Sequence, residues 1–168
     1  MSKQKMTKDI IPEDFTLFLA FVDAIPVIFF GLSMIKIGML FNSFLFLAGA
    51  ILCFVGGAGK VLWKIIVVLY KKNIWFLFVQ MRILMPAGFI LMLLSLFIDY
   101  QKINLNSIIQ KIVSFPSCIF FLLGLAGMIL MFIFAKKLDS SDVKANWIEQ
   151  LTNGISQICI FIGIVLMK

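Results

Sequence analysis

The chain has 168 residues, of which 62% are hydrophobic and only 14% are charged. Soluble domains are about 45–50% apolar and about 25% charged, so this composition excludes a soluble globular protein and indicates an integral membrane protein. The chain has no histidine, which excludes His-ligated haem and histidine acid–base chemistry and argues against a zinc site. Orientation in the membrane and anionic lipid explain the net charge of +7 without nucleic acid as a partner. We expect no cofactor and no metal.

Five apolar segments are long enough to cross a bilayer, which takes about 20 helical residues. They cover approximately residues 15–35, 43–70, 74–98, 115–135 and 145–167. The sequence shows no linker, low-complexity tract or internal repeat. We therefore predict an all-α, polytopic integral membrane protein in which residues 1–168 form one domain, a bundle of five transmembrane helices.

The segment between the third and fourth spans has a helical pattern of its own. Its apolar residues share one helical face, and these are Leu105, Ile108, Ile109, Ile112 and Val113. Polar residues occupy the other face: Asn106, Ser107, Gln110 and Lys111. This pattern predicts a short interfacial helix on the outer leaflet, or else a lid over the bundle.

Lysine counts choose between the two orientations of a five-span bundle. With the N-terminus inside, the cytoplasmic segments hold eight lysines, namely Lys3, Lys5, Lys8, Lys71, Lys72, Lys136, Lys137 and Lys144. The outer segments then hold four: Lys36, Lys102, Lys111 and Lys168. Three tryptophans fall near the proposed inner boundary, as an aromatic belt would: Trp63, Trp75 and Trp147. We predict a bacterial cytoplasmic membrane protein with its N-terminus inside and its C-terminus outside.

Five ionisable residues lie inside these spans: Asp23, Lys60, Lys64, Arg82 and Glu149. Each charge in hydrocarbon costs roughly 2.5–3.5 kcal/mol on insertion scales and usually faces a partner, a cavity or a pathway. In the predicted orientation all five fall in the cytoplasmic half of the membrane. This convergence predicts a polar cavity in the inner leaflet.

Asp23 lies about 12 Å into the first span, too deep for its short side chain to reach water. Pro26 follows it and leaves the carbonyl of Val22 without its helical partner, an arrangement that transporters use at binding sites. The alternative is an Asp23 that is protonated or paired with a lysine and only locks the bundle.

The second span places Lys60 and Lys64 on one helical face. Its length of about 40 Å exceeds a 30 Å hydrocarbon core, so it either tilts or bends at Gly56-Gly57-Ala58-Gly59. A bend would lay residues 61–70 along the interface. We expect Lys64 to extend to the interface, and Lys60 either to do the same or to bind a ligand.

Gln80 and Arg82 occur about one-third of the way along the third span. An arginine is always charged, and its planar fork fits a carboxylate or a phosphate. Arg82 is therefore either the partner of Asp23 or Glu149, or a residue that binds an anionic ligand.

The fifth span carries a polar stripe at spacings of four and three, formed by Asn146, Gln150, Asn153 and Gln157 with Glu149 beside it. Amides in a membrane usually hold helices together, with about 0.6 kcal/mol for each hydrogen bond, and the alternative is the wall of a cavity. On the fourth span, Gly124 and Gly127 indicate close helix contact.

These patterns predict a ligand site, with no catalytic or metal-binding residue, at Asp23, Lys60, Gln80, Arg82, Glu149, Gln150, Asn153 and Gln157. The first functional hypothesis is a membrane protein that binds or transports a small polar or anionic solute or a lipid headgroup. The alternative is an accessory or scaffold subunit of a membrane complex whose charges pair internally. An enzyme ranks below both because no nucleophile constellation is present, and an ion-conducting oligomer ranks last. The expected partners are the bilayer, the ligand, and a second copy or a partner subunit.

Overall fold

The structure, a computed structural model, describes residues 16–138 and 143–167. All regular structure in these ranges is helical. Five segments are helices long and apolar enough to span a membrane, at Leu17–Phe41, Phe44–Tyr70, Trp75–Ile98, Ser117–Phe134 and Lys144–Leu166. The predicted all-α bundle of five membrane-spanning helices is therefore confirmed. Four of the lysines counted for the orientation lie outside the described residues: Lys3, Lys5, Lys8 and Lys168.

The described residues form seven α-helices, in the order α1 Leu17–Phe41, α2 Phe44–Tyr70, α3 Trp75–Val79, α4 Met81–Ile98, α5 Leu105–Val113, α6 Ser117–Lys137 and α7 Val143–Leu166. A 3₁₀ turn at Tyr100–Lys102 links α4 to α5. The short helix predicted over residues 105–113 is present as α5, whereas its place at the interface stays a prediction. The third span consists of α3 and α4, which meet at Gln80.

The ends of α1 and α2 follow from local hydrogen bonds. The side chain of Thr16 accepts a hydrogen bond from the backbone N–H of Leu19, and that of Ser43 accepts one from Phe46. Asn42 adopts a left-handed backbone conformation, with φ of 47°, and ends α1. The helix thus ends six residues later than the predicted span, at residue 41 and not 35, because the exposed Lys36 does not interrupt the apolar run.

The five spans are arranged in the order α4, α2, α1, α7, α6, since each of these neighbouring pairs packs extensively. Residues from all five line one central cleft, so the row curves around it. We name the two ends of the bundle after one residue each. The Trp75 end contains Tyr70, Trp75 and the first residues of α1 and α7. The opposite end, at the α1–α2 turn, is the Asn42 end.

Small residues let the helices approach closely. A methyl group added to Gly49 of α2 would lie 2.6 Å from the carbonyl oxygen of Gly88 on α4. In the same way, a side chain on Gly127 of α6 would collide with the hydroxyl of Ser156 on α7. The expectation that Gly124 and Gly127 mark a close helix contact is confirmed, and the contacted helix is α7.

Trp63 does not belong to an aromatic belt. Only 1% of its surface is exposed, and its Nε1 donates a hydrogen bond of 2.9 Å to Oδ1 of Asn73. This bond joins α2 to the turn that leads into α3. The prediction for this tryptophan is therefore wrong, because its face of α2 points toward α3 and not toward lipid.

Asp99, directly after α4, holds the Asn42 end together. Its Oδ2 accepts a hydrogen bond of 2.6 Å from Oγ of Ser43, and its Oδ1 accepts one of 2.6 Å from Nζ of Lys102. The Lys102 ammonium and the Ser43 hydroxyl, in that order of effect, hold the pKa of this carboxyl below its ordinary value. The charged carboxylate thus ties the α1–α2 turn to the end of the third span.

The free energy of unfolding should therefore decrease at acidic pH, because Asp99 becomes protonated there. A pKa lowered by folding contributes stability that is complete above the unfolded value of about 3.9 and is lost as the pH falls through the folded value. We expect Asp99→Asn to lower the thermal midpoint at pH 7, and the difference from wild type to shrink between about pH 5 and pH 3. Lys102→Gln should show the same convergence. A difference that is constant with pH in thermal scans would contradict this role.

Candidate functional site

The cleft at the centre of the curved row has a volume of about 210 Å³. Its wall is mainly apolar, with two amides on one side. The residues that line it are Pro26, Val27 and Phe30 of α1, Cys53 and Gly57 of α2, Met85 and Phe89 of α4, Met128 of α6, and Asn153 and Gln157 of α7. A second groove of about 240 Å³, between α1 and α2, has only apolar residues in its wall.

Four of the predicted site residues continue the faces that line the central cleft. Residues three and four apart share one side of a helix. Each of these four lies three positions from a lining residue, toward the Trp75 end. The series are Asp23-Pro26-Phe30 on α1, Lys60-Gly57-Cys53 on α2, Arg82-Met85-Phe89 on α4, and Gln150-Asn153-Gln157 on α7. The cleft thus has an apolar middle and a polar, charged margin on its Trp75 side.

Asp23 forms an ion pair with Lys64, which joins α1 to α2. Both side chains are buried, with 4% and 3% of their surfaces exposed. The expectation that Lys64 extends to the interface is wrong, because α2 runs unbroken to Tyr70 and this part of its face packs on α1. Lys60 and Glu149 also act on Lys64 electrostatically. The arrangement matches the alternative in which Asp23 is paired with a lysine.

Arg82 is exposed, and Lys60 is half-buried. The guanidinium carbon of Arg82 lies 5.0 Å from the centre of the Phe78 ring. Within residues 16–138 and 143–167, no carboxylate is within ion-pair distance of either cation. Arg82 therefore does not pair with Asp23 or Glu149, which was the alternative to an anion-binding role.

Gln80 has a structural task. Its Nε2 donates hydrogen bonds to the carbonyl oxygens of Gly56, at 3.2 Å, and Leu77, at 3.3 Å. Gly59 makes this possible, since a side chain there would overlap the Gln80 amide. The glycine-rich stretch of α2 is thus continuous helix, and its glycines admit the Gln80 side chain of the third span. The Gln80 amide nitrogen therefore joins the third span to α2.

The polar stripe of α7 combines the two roles considered for it. Gln150 is buried, and Glu149 is half-buried. Gln157 donates from Nε2 to Sδ of Met128 at 3.4 Å, which links α7 to α6. Asn153 and Gln157 also line the cleft. The stripe therefore holds helices together and forms one wall of the cleft.

Sequence reasoning missed Lys64 as the partner of Asp23 and missed the apolar part of the cleft. Lys64 could have been included among the site residues, because it lies four positions from Lys60 on the same helix face. Met85, Phe89 and Met128 are indistinguishable in sequence from residues that face lipid. Only the curvature of the row brings them to one cavity.

The ion pair predicts a non-additive pattern of stability. Lys64→Met leaves the Asp23 carboxylate buried without its partner, a change that typically costs about 3–5 kcal/mol. Asp23→Leu combined with Lys64→Met removes both charges, so we expect it to recover most of that loss. The measurement is the thermal midpoint of the detergent-purified protein.

Lys60→Met is the matched control, because it removes a lysine that has no carboxylate partner in the described part of the chain. It should change the midpoint much less than Lys64→Met. Additive losses for the two single substitutions at Asp23 and Lys64 would contradict the pair.

Comparison of the chain with models of protein families, with curated proteins and with solved structures found no match. A functional assignment for this five-span bundle therefore rests on the geometry of its cleft and of its intramembrane charges.

Proposed function

We propose that this chain is a membrane-embedded protein that binds or transports a small polar or anionic molecule or a lipid headgroup. The site is the charged margin of the central cleft. The observation that carries the proposal is the pair of cations, Lys60 and Arg82, on the faces that line the cleft, without a carboxylate partner in residues 16–138 and 143–167.

Charge balance favours an anion at this margin. Among the five intramembrane ionisable residues, Asp23 and Lys64 form an ion pair, which leaves the two cations Lys60 and Arg82 and the one carboxylate of Glu149. A cation held in a medium of low dielectric constant gains far more from a counter-ion than it does in water. The Arg82 guanidinium offers donors in a flat fork, which suits a carboxylate or a phosphate. The remaining wall supplies the amides of Asn153 and Gln157 as neutral hydrogen-bonding groups.

The lysine distribution supports a cytoplasmic position for the Trp75 end, since Lys71, Lys72, Lys136 and Lys137 all belong to this end. We therefore propose a bacterial cytoplasmic membrane protein with its N-terminus inside and its C-terminus outside. In this orientation the margin of the cleft belongs to the inner leaflet. The ligand would thus bind on the cytoplasmic side of the membrane.

The second candidate is a non-catalytic accessory or scaffold subunit. The ion pair of Asp23 and Lys64 favours it, because a dry, internally paired charge needs no ligand. The pair does not account for Arg82, however, which is exposed and lies on the same face as the lining residues Met85 and Phe89. A partner subunit that supplies a carboxylate to Arg82 would unite this candidate with the observed geometry.

Binding of an anion should be visible as thermal stabilisation. We expect octanoate to raise the midpoint of the detergent-purified protein more than octanol, which has the same chain without the charge. A ligand at 100 times its Kd adds roughly 2.7 kcal/mol, enough to measure. The excess effect of octanoate should disappear in Arg82→Gln and weaken in Lys60→Gln.

Lys36→Gln is the matched control, because it removes one positive charge from an exposed position near the Asn42 end of α1. It should keep the full preference for octanoate. Equal stabilisation by octanoate and octanol in the wild type would contradict an anion site and favour the accessory subunit.

A further inference from the structure

The central cleft opens sideways. The two helices at the ends of the row, α4 and α6, do not pack extensively against each other. Phe89 of α4 and Met128 of α6 line the cleft and are nevertheless 46% and 40% exposed. In a membrane, the surroundings of such residues at mid-span are acyl chains. The side of the cleft between α4 and α6 is thus the side on which its lining residues are exposed.

The shape and chemistry of the cleft fit an elongated apolar group. Its volume of about 210 Å³ equals roughly seven water molecules, too little for a whole phospholipid but enough for part of one chain. Met85, Phe89 and Met128 give it a flexible, polarisable wall. A purely aqueous solute would gain little from this wall, whereas a hydrocarbon chain would pack against it.

The cations are placed where the headgroup of such a lipid would lie. Arg82 comes seven residues after Trp75, about 10 Å along the span, and seven residues before Phe89. A long arginine side chain can extend from that depth toward the interface. Lys71 and Lys72 are exposed at the same end. A lipid in this position would keep its ordinary orientation, with its phosphate at the Trp75 end and its chain toward the middle of the membrane.

We propose that the ligand is an anionic phospholipid of the leaflet at the Trp75 end, which enters between α4 and α6. Its phosphate binds Arg82, and part of one chain occupies the cleft. This inference rests on the proposed function, since it names the ligand of the same anion-binding margin. A basic residue near the membrane surface is worth about 1 kcal/mol of attraction to anionic lipid, or about fivefold in affinity.

The test is a titration of the purified protein in neutral detergent with long-chain phosphatidylglycerol or phosphatidylcholine, with bound lipid counted by native mass spectrometry. We expect the wild type to prefer phosphatidylglycerol. Arg82→Gln should reduce this preference about fivefold, while Arg82→Lys should keep part of it and Lys36→Gln all of it. Inorganic phosphate at a concentration equal to that of the lipid should not displace it, because phosphate competes for Arg82 but lacks the chain that packs in the apolar cleft.

A second pair of variants tests the sideways opening. Met128→Trp puts a larger side chain into the mouth of the cleft and should weaken binding of both lipids. Ile129→Trp is its control, since Ile129 is 53% exposed on the same helix and does not line the cleft. Phe89→Trp and Ile90→Trp form the equivalent pair on α4.

The outcomes separate this inference from the proposed function. If octanoate stabilises the protein through Arg82 but Met128→Trp and Arg82→Gln leave lipid binding unchanged, the lipid inference is wrong and the anion site stands. If phosphate displaces the lipid, the natural ligand is a free anion, which also overturns it. If neither octanoate nor phosphatidylglycerol binds, both proposals fail.

Discussion

The ion pair between Asp23 and Lys64 is the interaction on which the arrangement of the charged half of the bundle depends. Neither residue could be left alone in hydrocarbon, and together they fix α1 against α2 at one register. That register directs Pro26 and Phe30 of α1 and Gly57 of α2 into one cleft. The close packing of Gly49 on Gly88 then brings α4 to the other side of α2. A local electrostatic requirement thus sets the geometry around the cavity.

The pair also divides the intramembrane charges into two classes. Lys64 is neutralised by the chain itself, whereas Arg82 and Lys60 have no ion-pair partner in the described residues. The ion pair with Asp23 stabilises the bundle, and this stabilisation explains the presence of Lys64 in the membrane without a ligand. The second class requires either an anion from outside the described residues or hydration by water at the interface. Both cations lie on helix faces that line the cleft, so an anion bound there would supply a counter-charge to each.

Much of the fold was predictable from the sequence, because lipid demands about 20 apolar residues in each helix and the chain supplies five such segments. The amphipathic pattern of residues 105–113 and the small residues of α6 were equally readable. The contacts of individual polar residues were not predictable from the sequence. Lys64 was expected to extend to the interface, because a single sequence does not show which face of α2 packs on α1. The hydrogen bond from Gln80 to the backbone of Gly56 was not predicted, because the sequence does not show that Gly59 leaves space for this side chain; the ligand role of Gln80 stays a prediction.

Contact between Arg82 and a phospholipid headgroup can be measured directly, since Arg82 is the one arginine among the 168 residues. Protein labelled with ¹⁵N-arginine therefore reports the guanidinium of Arg82 alone. Solid-state NMR in phosphatidylglycerol bilayers would measure the dipolar coupling between its nitrogens and lipid ³¹P. A bound phosphate predicts nitrogen–phosphorus distances of about 4 Å and a clear coupling. A guanidinium without measurable coupling to phosphorus would contradict the account, and would show that Arg82 satisfies its charge with water or with a protein carboxylate.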